Sequence, residues 1–203
     1  MFDLPKATEI RKPIHKKLIY SKFPMRLKGE SRSSFDEEIG KIVVTNEISP
    51  VSVNIKEGVK VSSVFVLQVE LKRKTYSEKN ITSIAKMFGQ NVLLVLHHGE
   101  QYQLAIYEVA LFHSEWQTAD KLQIQLKGLD MDAVWENLVM LVSGIEVRPG
   151  NSLDEQIALE MEKAKLRKTM EELEKRARRE PQSKKKFEMF QRLKEYQTRM
   201  DGM

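Results

Sequence analysis

From Ser152 to Met200 the chain carries apolar residues at helical spacing on a charged background, and one proline, Pro181, interrupts the run. That interruption constrains the fold more than any other feature. Proline cannot continue a helix and pushes the residue before it out of helical geometry, so Glu180-Pro181 must end one helix before a second begins. On the first side Ser152 is placed to cap, with Glu155 at the capping-box spacing. Leu153, Ile157, Met161, Ala164, Leu166, Met170 and Leu173 then form a narrow apolar stripe. On the second side Ser183 opens a helix carrying Phe187, Phe190, Leu193, Tyr196 and Met200. Two helices of about 25 and 18 residues with a sharp break between them predict an antiparallel, coiled-coil-like hairpin. So narrow a stripe cannot enclose a wide core, so the hairpin must lean on the rest of the chain, on a second copy or on another protein.

Pro149-Gly150-Asn151 is the clearest boundary in the sequence and divides it into a domain over 1–148 and a helical hairpin over 151–203. The first part opens with a basic segment in which Pro5, Pro13 and Pro24 forbid one long helix, leaving a short one over Ile14 to Phe23. Ser33 or Ser34 is expected to cap a short acidic helix at Phe35 to Ile39. Strands are expected at Ile42 to Ile48, at the alternating Val51 to Ile55, and at Val61 to Lys72, with Ser49-Pro50 turning the chain. A helix from Ser77 to Gly89 leads to strands at Val92 to Leu96 and Tyr102 to Phe112. Leu122 to Leu126 alternates strictly and reads as a further strand. A helix starting at Asp130 or Asp132 ends at Gly144. This order gives an α+β domain with a mixed, mostly antiparallel sheet and packed helices, followed by the C-terminal hairpin.

The 203 residues include no cysteine, which excludes disulfides and thiolate zinc sites. No apolar run approaches a bilayer-spanning length, and the start lacks a secretory pattern, so a cytoplasmic protein is expected. Charge is unevenly spread: residues 1–32 carry a net +6, residues 33–150 a net −4 and residues 151–203 a net +3. A polyanion would therefore be met by the two ends. The strongest concentration is Lys175, Arg176, Arg178, Arg179, Lys184, Lys185 and Lys186 around the hairpin break, suited to phosphate contacts. No aromatic residue interleaves before Phe187, so the cluster by itself does not indicate base stacking. The alternative is a solvated helix–helix tip.

Catalytic patterns are sparse. There is no glycine-rich phosphate loop and no nucleophile elbow, and His97 and His98 are adjacent in a strand and point to opposite sides. No cofactor and no metal is indicated. One local pattern is suggestive: Glu70 and Lys72 project from one face of a strand, an arrangement that serves metal-dependent nucleases of restriction-endonuclease-like fold. Such a site needs another carboxylate, and only Glu47 or Glu57 is near in sequence. An exposed ion pair explains the pattern as well.

Several segments resemble one family. They are Phe2-Asp3-Leu4-Pro5-Lys6-Ala7-Thr8-Glu9, Ile48-Ser49-Pro50 with Val53-Asn54-Ile55, Val69-Glu70-Leu71-Lys72, and Arg179-Glu180-Pro181-Gln182 followed by Lys184-Lys185-Lys186-Phe187-Glu188. The chain is similar over nearly its whole length to an uncharacterised prokaryotic family, domain of unknown function 4391. Where the family pattern reads Glu-Lys-Gln at the hairpin break, this chain has Pro181. The resemblance implies a prokaryotic origin and gene neighbours such as helicases and DNA methyltransferases of restriction or defence type.

The expectation drawn from these readings is a non-catalytic accessory or adaptor protein of a nucleic-acid-processing or phage-defence assembly. Its hairpin would bind a partner protein through Leu153, Ile157, Met161, Phe187, Phe190 and Leu193, and its basic ends would meet nucleic acid. Two alternatives stand beside it: a magnesium-dependent nuclease using Glu70, Lys72 and Glu47 or Glu57, and a homodimeric structural protein.

Overall fold

A computed structural model describes residues 2–203, and the chain divides into two compact units, one ending at Gly144 and the other spanning Ile145–Met203. The first is built on a mixed sheet. Its opening segment forms an edge strand, β1 (Glu9–Ile14), where a basic, turn-rich stretch was expected. Pro13 is tolerated there because an edge strand need not donate on its outer side. A register shift between Glu9 and Lys12 marks a bulge, and Arg11 within it takes a left-handed conformation (φ +46°). Helices α1 (Lys16–Lys22) and α2 (Glu30–Glu38) follow. α2 begins earlier than Ser33 or Ser34 would set it, behind Gly29 in a positive-φ conformation.

Strand β2 (Ile39–Ile48) runs into Ser49, whose side chain and that of Ser52 form a reciprocal cap on the one-turn helix α3 (Pro50–Val53). This corrects the strand expected at Val51 to Ile55. Proline at the first helical position and a satisfied cap outweigh a four-residue alternation. Strand β3 (Val64–Leu71) pairs antiparallel with β2, helix α4 (Glu78–Met87) crosses over, and β4 (Asn91–His98) pairs parallel with β3. A tight turn at Gly99 leads to β5 (Gln101–Tyr107), then β6 (Leu111–His113) and β7 (Gln117–Thr118). The strand order is β1-β2-β3-β4-β5-β6, with β7 also on β5, and β3/β4 is the one parallel pair among them. Helix α5 (Met131–Ser143), capped by Asp130, closes the unit.

The segment Leu122 to Leu126 is not a strand, yet Leu122 and Ile124 are buried and the Ile124 amide donates to the Phe2 carbonyl. Its alternation reports burial without a ladder. One layer of the core joins Ile19, Phe35, Ile81 and Ile84 from the helices to Ile42, Leu67, Val69, Leu94 and Leu96 from the sheet. On the opposite face Val66, Leu93, Val95, Leu104 and Ile106 are buried too, and α5 packs on β5 and β6. Two carboxylates tie distant segments of this unit together. Glu38, at the end of α2, accepts from Arg73 (2.8 Å), the Ser77 amide (2.9 Å) and Asn80 (2.7 Å). Burial pushes its carboxyl up, but these donors outweigh that and hold it below the ordinary carboxylate value. Asp132 accepts from the amides of Val59 (2.7 Å), Lys60 (3.0 Å) and Val61 (2.7 Å). Gly58 has no room for a side chain in that loop, since a Cβ would lie 2.6 Å from the Val61 carbonyl oxygen and against the Asp132 carboxylate.

The second unit is the hairpin. Helix α6 (Leu153–Arg179) starts at Ser152 with the full reciprocal capping box to Glu155, and helix α7 (Ser183–Asp201) follows the break at Glu180-Pro181-Gln182. The helices run antiparallel, as the Arg199–Glu162 ion pair and the Arg148 guanidinium on the Met203 carbonyl (2.8 Å) show.

Candidate functional site

The hairpin covers part of its apolar stripe and leaves the rest open. On α7 the half-buried positions are Met189, Leu193, Tyr196 and Met200, at spacings of four, three and four, and no residue of the helix is fully buried. On α6 Leu166, Met170 and Leu173 are half-buried and Ala177 is buried. These positions form the seam between the two helices. Outside it Phe187 is 63% exposed, Phe190 44% and Met161 41%. Leu153 and Ile157, placed with them on the expected partner-binding stripe, are buried instead, and Leu193 belongs to the seam. Polar residues have joined the buried side of α6. Gln156 accepts from Asn151 (3.0 Å), and the Lys163 ammonium pairs with Glu160 (3.2 Å).

All seven basic residues of the break, Lys175, Arg176, Arg178, Arg179, Lys184, Lys185 and Lys186, are exposed. Arg178 pairs with Glu174 at 2.6 Å, while the other six have no carboxylate within ion-pair distance among the described residues. Glu180, the one acid at the break, is tied to the Gln182 amide at 3.0 Å. The first turn of α7 holds no acidic residue. Its lysines therefore stand at the positive end of the helix dipole, where cations are disfavoured. The result is a positively charged tip with two open phenyl rings beside it.

The Glu70 strand presents a different picture. Glu70 is exposed at the C-terminal end of β3, packs over Gly40 on one side and lies across from His97 of β4 on the other. His97 stacks on Tyr102 of β5 with ring centroids 5.6 Å apart, so an acid, an imidazole and a phenol stand in one row across three strands. Burial lowers the His97 pKa and the neighbouring His98 adds to this, while Glu70 opposes both. Lys72 lies beyond the end of β3, and its ammonium donates to the Asp36 carbonyl at 2.7 Å, at the end of α2. Glu47 pairs with Phe65, five residues from Glu70 along the strand, which is about 17 Å away. Glu57 sits in the loop before β3, at that same far end. The structure thus brings Glu70 to His97 and Tyr102, and not to Lys72, Glu47 or Glu57. Among the described residues no three His, Asp or Glu side chains converge to hold a metal ion.

A family match spans residues 2–200, almost the entire chain. The chain belongs to the family described as Domain of unknown function (DUF4391). No curated protein and no solved structure matches it. In this DUF4391 chain no described helix is long and apolar enough to cross a membrane. The Phe187–Phe190 pair, expected on the partner-binding stripe, is exposed and lies outside the seam. Its signal was present: the two rings are three apart and fall outside the Met189, Leu193, Tyr196, Met200 heptad.

Proposed function

We propose that this protein is a non-catalytic accessory protein of a prokaryotic nucleic-acid-processing or restriction-type defence assembly, working in the cytoplasm. The hairpin docks a partner protein and carries the cationic tip toward nucleic acid. The observation that supports this reading is α7 itself, a 19-residue helix with no buried residue. A helix of this kind, held through a single narrow seam, leaves apolar surface that a partner can cover. The basic tip favours a partner whose contact surface is acidic at its rim.

The partner class, a helicase or DNA methyltransferase, comes from the family resemblance and not from geometry. Co-expression with such a neighbour should give a complex that survives nuclease treatment. Truncation after Gly150, or Met161→Glu in the full chain, should abolish the complex. Co-purification that is unchanged by both alterations would overturn the reading. A dimeric mass by light scattering for the protein alone, with no partner retained, would favour self-association through the same surface.

A further inference from the structure

We infer that the hairpin tip is a binding site for single-stranded nucleic acid, in which Phe187 and Phe190 stack on unpaired bases while the surrounding lysines and arginines neutralise phosphates. This deepens the reading of the hairpin as a contact arm and rests on it.

Phe187 and Phe190 are one helical turn apart on the same side of α7, so their rings stand as near neighbours along one line. That line is bounded by cations: Lys184 lies three residues before Phe187, Lys186 four before Phe190, and Lys194 four after it, all exposed. Both rings are open, at 63% and 44%, and among the described residues neither stacks on another aromatic ring. An extended strand tracking such a line meets alternating charge and π-face, the combination by which unpaired strands are bound without reading their sequence.

Charge alone would suit any polyanion, and the rings decide between them. In a duplex the bases stack on each other and the rings gain nothing, whereas in a single strand the base faces are available to cover them. The six unpaired cations point the same way. Three of them, Lys184, Lys185 and Lys186, stand against the helix dipole, an arrangement that folding does not reward and that an anionic ligand relieves.

The test is fluorescence anisotropy of the full-length protein with labelled oligo-dT, oligo-U and a mixed-sequence duplex across a salt series. Single strands should bind with a log–log salt slope of about −4 to −5, set by six or seven cations at about −0.7 each. Phe187→Ala and Phe190→Ala should each weaken single-strand binding by about fivefold or more at unchanged slope. Phe187→Trp should retain binding. The triple change Lys184→Gln, Lys185→Gln, Lys186→Gln should make the slope shallower by about 2. Circular dichroism should show every variant as helical as the parent, since all five residues are exposed. The two oligonucleotides separate DNA from RNA as the natural ligand. Duplex bound as tightly as single strand, or alanine variants that bind like the parent, would overturn the inference. So would absence of oligonucleotide binding at low salt; if the partner complex still formed, the adaptor reading would stand without it.

Discussion

Phe35 and Phe187 show how differently the two units use the same residue. Phe35 on α2 is fully buried in a layer shared by three helices and four strands. Phe187 on α7 is mostly open to solvent. The sheet unit buries both faces of its central strands, so its sequence is held by packing almost everywhere. The hairpin buries five residues of α6 and none of α7, and two of the five are polar. Its helices depend on capping, on a thin seam and on charge. The sheet unit is specified by its own packing, whereas the hairpin leaves apolar and cationic side chains exposed.

The largest expected effect lies in the core. Phe35→Ala should cost about 3–5 kcal/mol in urea denaturation followed by tryptophan fluorescence. Both tryptophans, Trp116 and Trp135, lie in the sheet unit, so the signal reports that unit. A cost under about 1 kcal/mol would erase the contrast with the hairpin.

Next comes Glu38. Glu38→Gln should cost about 2 kcal/mol at neutral pH, because Arg73, Asn80 and the Ser77 amide lose a charged acceptor. Its folded pKa is lowered from the ordinary value of 4.5. The stabilisation is therefore fully present above that value and is lost as pH falls through the lower folded pKa. Denaturation at a series of acidic pH values should find parent and variant converging in stability, and a constant gap would contradict the assignment.

Ser152→Ala removes the side chain of the capping box on α6 and should cost about 1 kcal/mol of hairpin stability, read by far-UV circular dichroism with tryptophan fluorescence unmoved. If both signals shift together, the two units unfold as one. Smallest is Phe187→Ala, expected within about 0.5 kcal/mol of the parent in either assay. A loss comparable to that of Phe35→Ala would mean that the ring is structural rather than held open for a ligand.

Local chemistry made much of this fold legible. Ser152 with Glu155, Asp130, Gly144 and Pro181 each mark a helix end through their own backbone preferences, and the structure places α5, α6 and α7 between them. The β-branched runs of β2, β3 and β4 were equally plain. Three segments were misread because a neighbour decided them. Pro13 sits in a strand because that strand is an edge. Val51 to Ile55 turns into a helix at the Ser49–Ser52 cap. Leu122 and Ile124 are buried in a segment that forms no strand.

The candidate site divides the same way. The basic residues of the tip could be read directly, because charge and the proline break belong to the chain wherever it folds. Which apolar residues remain open could not. Helical spacing places a side chain on a face, but only the neighbouring helix determines whether that face is covered. The Met189, Leu193, Tyr196, Met200 seam is what left Phe187 and Phe190 outside. Likewise the strand end at Leu71 sent Lys72 to α2 and turned Glu70 toward His97. Sequence determined the elements and the charge, through preferences acting over a few residues. Tertiary structure decided exposure and pairing, because these depend on residues far apart along the chain.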